Sequence, residues 1–320
     1  MRVPDFFVVG HAKSGTTALY EMLRRHPQVF MPNLKEPWFF ARDNPHPQRD
    51  GERSIAFTGR KRESLEDYLS LFAGARADQR VGEASTSYLW SQSAPSRIAA
   101  LQPGARIIAM FREPASFLRS LHLQLLASHE ETEKSFRKAV ELEGARRENR
   151  NLPKYAYWPQ TLIYTDRVRY VEQLHRYLTV FPAEQLLVLV YDDFRADNEA
   201  VVRRLMRFLE LDDTQPVEVV EANPTVGVRS VRLDDFRRSL RAGRGPAFRA
   251  LRGAGKAVST RRVREALYYP LLRGSVYTKP PPVDVEFMSE LRRRFKGEVV
   301  ALSEYLDRDL VKLWGYDSVG

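Results

Sequence analysis

The chain has 320 residues, 43% of them apolar, no cysteine and a formal net charge of +10; it is long enough to bury a sizeable core in one domain, and disulfides, thiolate metal sites and cysteine nucleophiles are excluded. The excess charge is local: between Arg229 and Arg264 twelve Arg/Lys face only Asp234 and Asp235, and the rest of the chain is balanced, so an anionic partner is expected at that segment and a general nucleic-acid-binding surface is not. No run approaches the ~18 apolar residues of a membrane span and no signal-peptide pattern precedes the first apolar run, so the expectation is a cytoplasmic protein, peripheral at the membrane if the basic segment lies on one.

In chain order, short runs rich in Val, Ile and Phe alternate with longer helical patterns, the rhythm of βαβ units on a parallel sheet. Phe6–Val9 reads as the first strand and 16–25 as a helix; Val29–Met31 is the second strand. Residues 42–62, polar and carrying Pro45, Pro47, Gly51 and Gly59, read as a surface loop before a helix at 63–73. Strands follow at Arg80–Gly82, Arg106–Phe111 and Leu186–Val190, with helices at 93–101, 114–128, 159–180 and 197–209. The last has a stripe through Val201, Leu205, Phe208 and Leu209, and Asp197 or Asn198 can cap it. Residues 212–228 form a loop, 229–264 a basic helical insertion, and a final amphipathic helix starts near Asp284, after Lys279-Pro280-Pro281-Pro282. One domain over 1–320 accommodates all of it.

Residues 10–17 read GHAKSGTT, between the strand and the helix. A strand feeding a glycine-rich turn that opens a helix directs backbone N–H groups and a positive helix end at one point, which suits a phosphate. In a triphosphate-binding P-loop the lysine follows the second glycine. Here Thr16 stands in that place and the lysine is Lys13, projecting from the loop itself. The expected fold class is therefore α/β, a P-loop-like three-layer fold with a central, mostly parallel sheet flanked by helices.

GHAKSGTT resembles the 5′-phosphosulfate loop of sulfotransferases that use 3′-phosphoadenosine 5′-phosphosulfate (PAPS) and release 3′-phosphoadenosine 5′-phosphate (PAP). The resemblance implies that Lys13, Ser14, Gly15, Thr16 and Thr17 hold the phosphosulfate, with Lys13 at the oxygen bridging phosphorus and sulfur. A cation there stabilises the charge left by sulfuryl transfer, and no metal is required. The resemblance also implies a second signature, a strand-end arginine and a serine eight residues on, which hold the 3′-phosphate. Arg112 and Ser120 meet it, with Pro114 near the helix start.

Lys35-Glu36-Pro37-Trp38-Phe39-Phe40 is similar to the KEPxFF segment of heparan-sulfate-type and bacterial sulfotransferases. That likeness implies Glu36 as the base for the acceptor hydroxyl and Lys35 as the residue that neutralises the sulfate or orients Glu36. Trp38 and Phe39 could wall the site or stack on a sugar. Gly82-Glu83-Ala84-Ser85-Thr86-Ser87-Tyr88 matches a segment lining the acceptor cleft, with Ala84 where relatives often carry Lys. Histidine is the base in another branch, so His11, His122 and His129 are weighed, His122 foremost.

In the late loop Arg273–Pro280, Lys279 is the candidate for closing over the nucleotide, although the Lys-Gly-Arg of many relatives is missing. The reading is a PAPS-dependent O-sulfotransferase acting on a small-molecule or glycan acceptor, with an anionic or lipid-linked acceptor suited to 229–264. Two rivals stay open: a nucleoside-triphosphate kinase or hydrolase with a degenerate P-loop and Asp192 or Asp193 on a metal, and a nucleotide-binding module without turnover.

Overall fold

The computed structural model describes residues 2–41, 64–153, 156, 159–218, 227–228, 277–278 and 280–319. Five strands, β1 (Phe6–Val8), β2 (Val29–Phe30), β3 (Arg80–Ala84), β4 (Arg106–Phe111) and β5 (Leu186–Val190), form one parallel sheet in the order β2-β3-β1-β4-β5. Successive strand residues point to opposite faces, so β1 and β4 supply two cores. Phe7, Ile107, Ala109 and Phe111 enter one; Phe6, Val8, Ile108 and Met110 enter the other. A parallel sheet covered on both sides explains why these strands read as continuous apolar runs.

One face is covered by α1 (Thr16–Arg25), through Leu19, Met22 and Leu23, and by a later helix at Asn198–Phe208, through Val201, Val202 and Leu205. The other carries α2 (Leu65–Ser70), α3 (Ala94–Leu101) and α4 (Pro114–Ser128), with the long C-terminal helix Val285–Leu306 packed on α4 and on a helix at Tyr170–Leu178, its Phe287, Leu291, Phe295 and Val299 joining this core. Each large side chain so buried contributes ~1.5–3 kcal/mol. The expected three layers are present. Among the described residues no helix is long and apolar enough to cross a membrane.

The bounds of β4, β5, α1 and α4 coincide with those expected from the sequence, and β3 runs two residues further, to Ala84. The helix expected at 159–180 is broken into short 3-10 turns at Pro159–Leu162 and Tyr164–Val168, followed by an α-helix over Tyr170–Leu178. Val168 and Tyr170 are both buried, yet two residues apart they would lie on opposite sides of one helix. The break at Arg169 (ψ 65°) turns both inward. Short helices at Phe136–Glu141, Glu143–Arg147, Tyr191–Ala196 and Leu310–Leu313 had no separate sequence signal. Gly227–Val228 pairs antiparallel with Tyr277–Thr278. The loop expected at 42–62, the insertion 229–264 and Lys279 lie outside the described residues.

The connection from β1 leads to β2 on one side, past β3, whereas the chain leaving β3 passes β1 to reach β4 on the other. The carboxyl ends of β1 and β4 therefore flank the point where the winding reverses, the place where open α/β sheets bind ligands.

Candidate active site

Past β1 the chain stays against β4, with Val9 N–H on Ile108 O (2.9 Å) and His11 N–H on Met110 O (3.2 Å). That approach demands glycine between them: a Cβ on Gly10 would lie 2.6 Å from the Met110 backbone nitrogen. The loop then turns through two left-handed residues, Lys13 (φ 66°) and Gly15 (φ 88°), and α1 begins. Gly15 is the N-cap and gives no side-chain acceptor, and the first turn holds no acid. The leading N–H groups of α1 thus lack a side-chain partner, the condition for anion binding. Ser14 Oγ is buried and unpaired beside them.

Lys13 and Arg112 meet here. Arg112, at the end of β4, donates from Nη1 to Lys13 O (2.9 Å) while its guanidinium lies 4.7 Å over the Tyr191 ring. Burial, and then the Arg112 charge, lower the Lys13 pKa, with no acid offsetting them. A cation depressed in this way regains stability when an anion arrives. The orphaned hydroxyl, the open helix end and the two cations fit a phosphosulfate group.

The structure brings Arg112 and Ser120 together, as lining residues of one cleft of about 440 Å³. Glu113 takes the N-terminus of α4 for itself, accepting from Ala115 N–H (3.1 Å) and Ser116 N–H (2.7 Å), so side chains are left to hold any anion in the cleft. Arg119 adds to them, its guanidinium pKa lowered by burial and by Arg112, and so do Ser289 and Arg292 from the C-terminal helix. These three were not singled out from the sequence. Arg119 adjoins Ser120 on a helix opening at Arg112, which is a local signal; Ser289 and Arg292 arrive from far down the chain and carry none.

On the acceptor side, Glu36 Oε1 accepts from Lys35 Nζ (2.9 Å), and Oε2 from Trp38 Nε1 (3.0 Å) and Thr86 Oγ1 (3.2 Å). Lys35 thus lies directly against the Glu36 carboxylate. Glu36 (φ 59°) and Trp38 (φ 56°) both hold left-handed backbone, a cost on the order of 1–3 kcal/mol each that surrounding contacts must offset. The stacking expectation is corrected: Trp38 and Phe39 are each only 8% exposed. Phe39 stacks on Tyr68 at 4.4 Å, and the Trp38 indole is spent on Glu36, so neither presents a free face to a sugar. In the segment 82–88, Thr86 alone reaches the Glu36 carboxylate.

The remaining sequence candidates sit elsewhere. His122 is buried against Phe136 and Tyr164 with Nε2 2.8 Å from Glu133 O, which makes it a core histidine and removes it as a base. His11 packs on Phe117 and Tyr170, and His129 is the left-handed C-cap of α4. Asp192 accepts from Trp314 Nε1 (2.9 Å) and Asp193 forks onto Arg308, so both carboxylates fasten the C-terminus. The kinase alternative thereby loses its proposed metal ligands.

The sulfotransferase family model matches residues 4–215. Carbohydrate sulfotransferase 15 of Mus musculus is 29% identical over 252 residues, covering 65% of this chain and 44% of its own length. Bifunctional heparan sulfate N-deacetylase/N-sulfotransferase 3 of Homo sapiens is 30% identical over 217 residues, covering 65% of this chain and 22% of its own. The chain thus matches less than half the length of these curated relatives. The crystal structure of a sulfotransferase from Alicyclobacillus acidocaldarius superposes with a TM-score of 0.60 at 28% identity, covering 78% of this chain and 100% of that one. Matched by the family model over residues 4–215, about two thirds of its length, the chain belongs to the sulfotransferase family.

Proposed function

We propose that the protein is a PAPS-dependent O-sulfotransferase whose acceptor is a carbohydrate hydroxyl. The observation that carries the reading is the adjacency of two anion sites. Lys13, Ser14 and the open end of α1 form one; Arg112, Ser120 and Arg119 form the other, in the next strand's cleft. A donor with separated 5′ and 3′ anionic groups suits both. A triphosphate would leave the second idle.

In this reading Glu36 receives the proton of the acceptor hydroxyl, whose oxygen forms the new bond to sulfur. The bond from sulfur to the bridging oxygen breaks, the electron pair stays on that oxygen, and Lys13 stabilises the charge. The products are a sulfate ester, PAP and a proton held on Glu36. Lys35, Trp38 and Thr86 fix the Glu36 carboxylate, so little reorientation is needed at the moment of transfer.

The acceptor class is supported by the names of the relatives, which are carbohydrate and heparan sulfate sulfotransferases, and by the basic segment 229–264, suited to an acidic glycan. The test is transfer from radiolabelled PAPS to desulfated heparan and chondroitin oligosaccharides, a glycolipid and a phenol. Labelling of an oligosaccharide is expected. Labelling of the phenol alone would overturn the carbohydrate assignment.

A further inference from the structure

Glu83 is a fully buried carboxylate that this reaction scheme leaves unused. It lies on β3 one step beyond Val81 on the same face, a core position. A buried charge is retained only when something compensates for it. Here Oε2 accepts two phenols, Tyr68 Oη and Tyr88 Oη, both at 2.9 Å.

Those tyrosines lead to the loop that carries Glu36. Along that loop every second N–H is bonded to the end of β3 or the chain that follows it: Glu36 N–H to Ala84 O (2.9 Å), Trp38 N–H to Ser85 Oγ (3.2 Å), Phe40 N–H to Tyr88 Oη (3.3 Å). The Tyr88 hydroxyl that accepts from Phe40 is the one that donates to Glu83. The Tyr68 ring, also held by Glu83, is the one stacked on Phe39. Two left-handed residues, Glu36 and Trp38, lie within this ladder, so its rungs must hold the backbone in a conformation it would otherwise leave.

We propose that Glu83 is a positioning residue for the base: through Tyr88 and Tyr68 it clamps the far end of the 35–40 loop, and the clamp keeps the strained turn that aims Glu36. This rests on the reading of Glu36 as base. Among the described residues, the titratable groups facing Glu83 are Tyr68, Tyr88 and Glu36. Burial, with a smaller push from Glu36, holds the Glu83 carboxyl up at about 7, against the pull of Ser85, Tyr88 and Tyr68. Ionised Glu83 is the stronger acceptor for the phenols, so the clamp tightens as pH rises through that value.

The experiment uses the full chain and PAPS hydrolysis, with water as acceptor, alongside PAP affinity and hydrogen exchange at the amides of Glu36, Trp38 and Phe40. Tyr88→Phe, which keeps the ring and removes the shared hydroxyl, is the main variant; Glu83→Leu and Glu83→Gln accompany it. Tyr88→Phe and Glu83→Leu are expected to lower kcat about tenfold to a hundredfold, the scale of a small misplacement of a reacting group, with PAP affinity within about twofold of wild type and faster exchange at Phe40 and Trp38. Glu83→Gln, whose amide oxygen still accepts from both phenols, is expected to restore most of the rate at pH 8 and to lose the dependence on pH near 7.

A folded Tyr88→Phe with wild-type kcat or unchanged exchange overturns the proposal. So does a fall in PAP affinity that matches the fall in kcat, which is what general loosening would give. Glu36→Gln serves as the reference. Should it hydrolyse PAPS at the wild-type rate, the base assignment and the clamp fail together; should it be slow while Tyr88→Phe is not, the clamp alone fails.

Discussion

At the donor end of the site the main chain does much of the binding: a left-handed turn, an open helix end and two neighbouring cations, Lys13 and Arg112, leave polar groups waiting for a ligand. At the acceptor end the base itself is already held. Glu36 already accepts three hydrogen bonds, its loop is bonded at every second amide, and a buried carboxylate stands behind the last rung. The contrast teaches that affinity and turnover are separable here. Donor-side changes should act on nucleotide binding and on the departing charge, and acceptor-side changes on rate alone.

Lys13→Met presses hardest on that division. It removes the cation at the breaking bond and should lower kcat by about 10²–10³ while weakening PAP binding less, because PAP lacks the sulfuryl group whose loss develops the charge. Steady-state kinetics beside calorimetric titration with PAP would show whether the two effects part in this way.

Glu83→Gln sharpens the other side through stability. In the unfolded chain this carboxyl ionises near its ordinary 4.5, but in the fold it holds its proton to about 7. The native state therefore binds the extra proton, and stability falls as pH rises across that window. The amide removes the penalty, so denaturant unfolding should place Glu83→Gln on the order of 2–3 kcal/mol better relative to wild type at pH 8 than at pH 5. A difference that does not change with pH would mean that Glu83 does not titrate in the fold. Through pH 7 the proposed clamp and global stability thus pull in opposite directions.

Arg112→Gln should have the smallest of the three effects. Losing a charge-assisted contact to the 3′-phosphate should weaken PAP about tenfold while leaving adenosine 5′-monophosphate nearly unaffected, since the two differ in that phosphate. Equal weakening of both would assign Arg112 to the loop it braces through Lys13 O.

The donor end was the more legible in the sequence because its geometry is local. A strand, a glycine turn and a helix fix Lys13 within eight residues, and a strand end followed by two helical turns brings Arg112 towards Ser120. The acceptor end was legible only in part. Glu36 could be named, but whether Trp38 and Phe39 face a sugar or the core depends on Tyr68 and on the chain after β3, which are distant in sequence. Glu83 was hidden for the opposite reason: a carboxylate in a strand reads as exposed, and only the packed tertiary structure shows it at a core position. The break at Arg169 and the arrival of Ser289 and Arg292 at the cleft likewise come from packing between remote segments.

The central claim, a site built for a bisphosphate nucleotide, is tested most directly by thermal unfolding of the wild-type chain with PAP and, separately, with ATP and Mg²⁺. A ligand that binds the folded state alone raises its stability by about 2.7 kcal/mol at a hundred times its dissociation constant. The account predicts a clear rise in Tm with PAP and little or none with ATP–Mg²⁺. Stabilisation by ATP–Mg²⁺ without stabilisation by PAP would contradict it.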